Sequence, residues 1–266
     1  MPNIRLVSVL AAASVCGFAQ TPEPRLSCDD HRSQNRRLIS YCEMREQTLA
    51  APMGAIHINP GQNGGVTVRG WDRADVLMRA RIDASAPSDS EARQVASQIR
   101  LASGAGQIQA DGPDSDRDRN WSVTYEIFAP RNADIDATAH NGGIHFADLR
   151  GRIQFSAVNG GVTLQRLAGD VQGHTANGGL TIELAGDHWD GAGMNVETTN
   201  GGVKLGVPSN YSAHVETSTV NGGMHVDFPV AMQGRFSDHE LSFNLGAGGA
   251  PIRVITTNGG VHIRHI

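Results

Sequence analysis

The chain carries a single lysine, Lys204, among 22 Lys and Arg side chains. A phosphate-binding P-loop ends a glycine-rich turn with lysine. Lys204 lies in no such turn, which removes that class; the scarcity itself reads as compositional bias. Aromatic residues are also few, at 5%. The formal net charge is −5, which implies no basic face for nucleic acid. Serine-nucleophile elbows, His-Glu-x-x-His pairs and Cys-x-x-Cys pairs are all absent. Glycine, by contrast, is in excess: 32 of 266 residues, about 12% against an ordinary 7%. Collagen needs glycine at every third place, and disorder needs few aliphatics with high net charge. Neither description fits, so the glycine requires another explanation.

Residues 3–18 read as a secretory signal: Arg5 and the amino terminus precede an apolar run from Ile4 to Val15 that is short for a bilayer span. Small residues at Gly17 and Ala19 place cleavage after Ala19, giving a signal at 1–19. Lipoprotein processing at Cys16 is the alternative, weakened by Val15 where a small residue is wanted. No other apolar run approaches the ~18 residues of a membrane span. With Cys16 removed, Cys28 and Cys42 remain. In an exported chain such a pair is expected to form one disulfide, two free thiols being the alternative.

Seven Asn-Gly-Gly triplets begin at Asn63, Asn141, Asn159, Asn177, Asn200, Asn221 and Asn258, spaced by 78, 18, 18, 23, 21 and 37 residues. Five of them fall in one tract whose period is that of a stacked repeat. After each triplet an apolar, a polar and an apolar residue follow, as in Val162-Thr163-Leu164 and Val203-Lys204-Leu205. That period of two is a half-buried strand. Upstream, Thr175, Thr198, Thr219 and Thr256 continue an inward face toward the turn. The unit is therefore strand, corner, strand. Antiparallel hairpins could use it, since Asn-Gly favours a type I′ turn. A β-solenoid explains more: asparagines one rung apart can bond amide to carbonyl along the axis, and glycine permits positive φ and close backbone approach. The expected ladder comprises Asn141, Asn159, Asn177, Asn200, Asn221 and Asn258, with Asn63 isolated.

The units Thr-Thr-Asn-Gly-Gly-Val (198–203 and 256–261) and Val-Asn-Gly-Gly (158–161 and 220–223), together with Gly70-Trp71-Asp72 and Trp121–Glu126, resemble the bacterial "putative adhesin" family, a domain of unknown function with β-strand repeats. The resemblance covers roughly residues 43–266. It implies a right-handed β-helix-like fold in exported or envelope proteins, and no catalytic residues or cofactors.

The 78-residue gap reads as a lead-in with its own structure. Ala74–Ile82 is an expected strand. Ser88 and Glu91 form a capping box for an amphipathic helix bearing Ala92, Val95, Ala96 and Ile99, which Gly104 would end. Further strands are expected at Gln107–Ala110 and Ser122–Ala129, joined by a hairpin loop at 111–120. The expected division is a signal at 1–19, an N-terminal segment at 20–50, a lead-in with capping helix at 51–132, and a repeat domain at 133–266. Because the chain stops soon after its last repeat, His262, Arg264 and His265 would protect a terminal edge, or a partner would cover it.

Chemistry is harder to find. His145, His225 and His262 share one repeat column, but other residues intervene and ligands for one ion must sit on successive rungs; no metal is expected. His140, His174 and His214 have no readable partner. Asp111, Asp114, Asp116 and Asp118 lack the EF-hand glycine and glutamate, and Arg117 and Arg119 neutralise them. Asp134, Asp136, Asp148 and Asp170 are the carboxylates that could serve a polysaccharide-active enzyme, given a pair at suitable separation. Trp71, Trp121 and Trp189 are sugar-stacking candidates, although a tryptophan more often serves packing. The leading expectation is a non-enzymatic, exported cell-envelope β-solenoid that binds an envelope or extracellular protein or glycan through an outward surface including Thr163, Thr181, Lys204 and His225. A polysaccharide-active enzyme and an envelope-stress or signalling partner are the alternatives.

Overall fold

The computed structural model describes residues 26–29, 37–228 and 234–266; the expected signal and Cys16 lie outside these residues. The chain opens with β1 (Ile39–Ala50), β2 (Ile56–Asn59), β3 (Val66–Trp71), β4 (Asp75–Ala86) and helix α1 (Asp89–Gln98). Then come β5 (Arg100–Gly104), β6 (Gln107–Asp111) and β7 (Asn120–Pro130). The central tract holds β8 (Ile135–Asn141), β9 (Ile144–Ala147), β10 (Arg152–Asn159), β11 (Val162–Gln165), β12 (Asp170–Asn177) and β13 (Leu180–Glu183). It continues through β14 (Gly193–Asn200), β15 (Val203–Val207), β16 (Ala213–Asn221) and β17 (Met224–Val226). The last strands are β18 (Gly234–Phe236), β19 (Glu240–Leu245), β20 (Pro251–Asn258) and β21 (Val261–His265).

The fold is nearly all β, in two large sheets. The first runs β1-β4-β7-β3-β9-β11-β13-β15-β21-β17, and the second β18-β19-β16-β20-β14-β12-β10-β8-β2-β6-β5. The strands on either side of each Asn-Gly-Gly lie in different sheets, so the triplets are corners between sheets and not hairpin turns. Pairing between successive units is parallel and in strict register: Asn159 stands opposite both Asn141 and Asn177. Val66, Ile144, Val162, Leu180, Val203 and Val261 make one buried apolar column. Burial of each such side chain contributes about 1.5–3 kcal/mol.

All seven corner asparagines join one ladder, Asn63 included. Asn141 Nδ2 donates to Asn63 Oδ1 at 3.0 Å, and the chain of bonds continues through Asn159, Asn177 and Asn200, each at 2.9 Å. Two departures from expectation follow. Asn63 is not isolated, because β2 and β3 pair directly with β8 and β9. The order of rungs also differs from the order of sequence: Asn258 donates to Asn200 at 2.8 Å, and Asn221 to Asn258 at 2.7 Å. The C-terminal strands β20 and β21 are inserted between β14/β15 and β16/β17. The last repeat is thus interior, and β17 ends the first sheet.

Close approach explains the first glycine of each corner. A Cβ on Gly160 would lie 2.1 Å from the Gly142 carbonyl oxygen, and one on Gly178 2.1 Å from that of Gly160. Positive φ, the other expected reason, occurs at only one corner glycine, Gly64. The inward threonines answer the same carbonyls. Thr175 Oγ1 donates to Gly160 O at 2.9 Å and Thr198 Oγ1 to Gly178 O at 2.7 Å. Both are buried, and this is the physical content of the Thr-Thr-Asn-Gly-Gly motif.

Two stability predictions arise here. Thr198→Val keeps the shape but strips the half-buried Gly178 carbonyl of its donor, so it should cost about 1–2 kcal/mol in chemical denaturation. The ladder asparagines are exposed except Asn63, which is half-buried, so water can replace a lost partner. Asn200→Ala, which breaks two amide bonds, should therefore cost only about 0.5–1.5 kcal/mol, and Asn63→Ala, which breaks the bond to Asn141 and a longer one of 3.5 Å to the Trp121 carbonyl, no more than that.

Antiparallel strands finish both sheets at one end of the stack and the second sheet at the other, a protection against edge pairing, while the first sheet ends there on the parallel strand β17. β7, β4 and β1 complete the first sheet, and β5 and β6 the second at that end. Over β16 lie β19 and β18. Helix α1 is capped by Ser88, whose Oγ accepts from Glu91 N–H, and buries Ala92, Val95 and Ala96. It ends at extended Ile99. Gly104, expected to end it, instead has φ +139° at the β5–β6 turn. The 111–120 loop is not a hairpin, since β6 and β7 belong to different sheets. Cys28 and Cys42 are joined by a disulfide with a Cα–Cα distance of 5.8 Å, which ties residues 26–29 to β1.

Candidate functional site

The outward residues of the second sheet form two polar rows. Strict register places Asp136, Gln154, Gln172, Asn195 and Arg253 in the first, and Ser156, His174 and Glu197 in the second. Between them lies a groove of about 360 Å³ lined by Asp136, Gln154, Ser156, Gln172, His174, Asn195 and Glu197, with Phe155 and Gly173 at its floor. Gly173 matters for that floor: a Cβ there would come within 2.4 Å of the Phe155 ring. Each amide of the first row presents both donor and acceptor atoms. Arg253 donates to Asn195 Oδ1 at 2.8 Å at one end, and His57 Nδ1 lies 3.1 Å from Asp136 Oδ2 at the other.

Ser156 Oγ is 3.2 Å from His174 Nε2, and Glu197 is aligned with His174 on the next rung. All three residues lie three positions before a corner asparagine, at 159, 177 and 200. That shared offset is the signal in the sequence that gives His174 its partners. Acyl transfer needs donors aimed at the oxyanion, whereas the backbone of β10 is committed to ladders with β8 and β12.

The candidate carboxylates are dispersed. Asp134 Oδ1 accepts from Arg152 N–H at 2.8 Å, and Asp170 Oδ1 from Gln172 at 3.0 Å. Asp148 holds the Arg166 guanidinium through bonds of 2.9 and 2.8 Å, and that hydrogen bonding keeps its carboxyl below the usual aspartate range. Asp136 and Glu197 stand three rungs apart, about 14 Å at ~4.8 Å per rung, beyond the ~5–9.5 Å of glycosidase pairs. Asp116 in the acidic loop accepts from the N–H groups of Asp118 and Arg119, and these bonds lower its pKa. All three indoles donate to backbone carbonyls: Trp71 to Asp75, Trp121 to Pro113 and Trp189 to Gly169. Trp121 and Trp189 are buried and serve packing; Trp71 carries the Arg73 guanidinium 4.3 Å above its ring.

On the first sheet, Thr163, Thr181 and Lys204 occupy one outward column with Thr67 and His145. His145 Nε2 lies 2.8 Å from Gln165 Oε1, and burial pushes its pKa down. His225 shares the column, but the inserted β21 sets His262 between it and Lys204. Among the described residues no helix is long and apolar enough to cross a membrane.

No known family model matches the chain, and no curated protein does. Among solved structures it is similar to a "putative cell adhesion protein" from Clostridium sporogenes, with TM-score 0.45 and 12% identity over 84% of this chain and 100% of that one. A "putative adhesin" from Bacteroides fragilis has TM-score 0.33 and 11% identity over 87% and 98%. A "putative lipid binding protein" from Parabacteroides distasonis has TM-score 0.33 and 8% identity over 85% and 96%. Likeness at this level carries no residue of those proteins onto this chain.

Proposed function

We propose that this chain is an exported, non-enzymatic β-solenoid of the cell envelope whose second-sheet groove binds an extended, hydroxyl-rich glycan. The groove carries the reading: a continuous row of amides and carboxylates across successive parallel rungs. Such a row offers repeated donors and acceptors to a polymer lying along the stack axis. Its polar lining suits hydroxyl groups better than acyl chains. The solenoid reading is supported by seven in-register corner units and their amide ladder. The non-enzymatic reading is supported by the dispersal of the carboxylates and by the ladder-bound backbone beside Ser156. Export is supported by the apolar N-terminal segment, and the Cys28–Cys42 bridge suits an oxidising compartment.

Co-sedimentation with purified cell-wall polysaccharide tests the reading. Gln172→Ala combined with Asn195→Ala should weaken binding at least about tenfold, the equivalent of one or two hydrogen bonds. Thr163→Val with Thr181→Val, on the other sheet, should leave it unchanged. Loss of binding in the second variant alone would assign the ligand to the first-sheet surface. Release of soluble reducing sugar from the same mixture, abolished by Asp136→Asn or Glu197→Gln, would establish the enzymatic alternative.

A further inference from the structure

We infer that His225, Asp227 and His262 form a binding site for a divalent late transition metal of the zinc class. The site exists because of the strand insertion. In sequence these histidines are 37 residues apart, and the intervening chain makes a complete excursion through β18 and β19 before β21 returns beside β17. Register then sets His262 directly opposite His225, with ring centroids 5.3 Å apart. Asp227 follows β17 by one residue, and its N–H donates to Ile263 O at 3.0 Å, which holds that segment against β21.

The three side chains converge on one point. Asp227 Oδ1 lies 2.8 Å from His225 Nε2, and Oδ2 lies 2.6 Å from His262 Nε2. One ligand atom from each residue falls within 4.8 Å of the others. Two imidazole nitrogens and one carboxylate oxygen are the donor set of an open zinc site, with the fourth position left to water. Calcium and magnesium want oxygen donors throughout, so imidazole selects for zinc, copper or nickel. Without metal, each imidazole reaches the carboxylate by donating Nε2–H. With metal, each must carry its proton on Nδ1 and turn the Nε2 lone pair toward the ion. Small side-chain movements suffice: the 2.8 and 2.6 Å separations need only widen to about 3.3 Å, the edge of a tetrahedron with ~2.0 Å bonds, and the two strands already fix the backbone.

The neighbouring charge sets a second expectation. Lys204 is the register partner of His262 on its other side, and its ammonium opposes a bound cation. Removing that charge should tighten binding. The ion would also join β17 to β21, so it would clamp the terminal rung onto the inserted one and stabilise the folded chain by linkage.

The test uses the full mature chain, without a histidine tag and stripped by a chelator, titrated with zinc against a chromogenic competitor. Wild type should take up one zinc per chain and show a zinc-dependent rise in melting temperature. His262→Ala, His225→Ala and Asp227→Asn should each weaken uptake at least about tenfold. His145→Ala, in the same column but four rungs from His262, should not. Lys204→Gln should bind more tightly than wild type, a gain that misfolding cannot mimic. Cobalt substitution should give the visible absorption of a four-coordinate His/carboxylate site. The inference is overturned if wild type shows no saturable zinc uptake, or if uptake survives both His225→Ala and His262→Ala.

Discussion

Gly160→Ala should destabilise the protein by about 3 kcal/mol or more, the upper end of what overpacking costs. The added Cβ would sit 2.1 Å from the Gly142 carbonyl oxygen, and neither backbone can move without breaking ladder bonds. Gly142 N donates to Asn159 O at 3.1 Å and Gly160 N to Asn177 O at 3.0 Å, so a shift at one corner propagates to its neighbours. Gly161→Ala provides the contrast. There the new Cβ would lie 3.6 Å from the Gly179 oxygen, ordinary contact, so its effect should stay within about 1 kcal/mol of zero. Urea denaturation of the two variants checks the pair. Equal losses would mean that the corners do not stack as closely as described.

Deleting residues 251–266 should have a still larger effect. The deletion removes β20 and β21 and with them the buried side chains of Ile252, Val254, Val261 and Ile263. At about 1.5–3 kcal/mol each, their loss is comparable with the whole stability of a typical domain. It also leaves a slot of about 9.6 Å between β14 and β16, two rung spacings, too wide for hydrogen bonds. Four parallel edges would face that slot, an arrangement prone to aggregation. The truncated chain should therefore lose its cooperative unfolding transition, and a synthetic peptide of residues 250–266 should restore it. Undiminished stability after truncation would contradict the insertion.

The particular elements show why some of this was legible in the sequence and some was not. Alternation such as Val162-Thr163-Leu164 is readable because side chains on a strand point to opposite faces. The Ser88 cap is readable because its bonding is local. The groove was readable in principle, since Ser156, His174 and Glu197 share one offset from the corner asparagine. Rung order was not. Thr-Thr-Asn-Gly-Gly-Val at 256–261 repeats 198–203 letter for letter, and identical corners cannot say which neighbour they stack on. Only the spacing of 37 residues before Asn258 set the last unit apart. Without the insertion His262 reads as a terminal-edge residue far from His225. Asn63 reads as isolated for another reason: the 78-residue gap in the sequence hides the direct pairing of β2 and β3 with β8 and β9. Corner conformation is illegible for a different reason: glycine serves both positive φ and close approach, and the residue letter does not tell them apart.

Rung order is therefore the claim on which most else depends, and paired cysteines test it directly. Asn195 stands opposite Arg253 on the adjacent rung, and Arg253 opposite Glu216 on the next. Asn195→Cys with Arg253→Cys should form a disulfide under mild oxidation, identified by peptide mapping against the native Cys28–Cys42 bridge. Asn195→Cys with Glu216→Cys, about 9.6 Å apart by rung spacing, should not, because a disulfide cannot span more than ~7 Å between Cα atoms. A bridge between 195 and 216, with none between 195 and 253, would show that the repeats stack in sequence order and contradict the account.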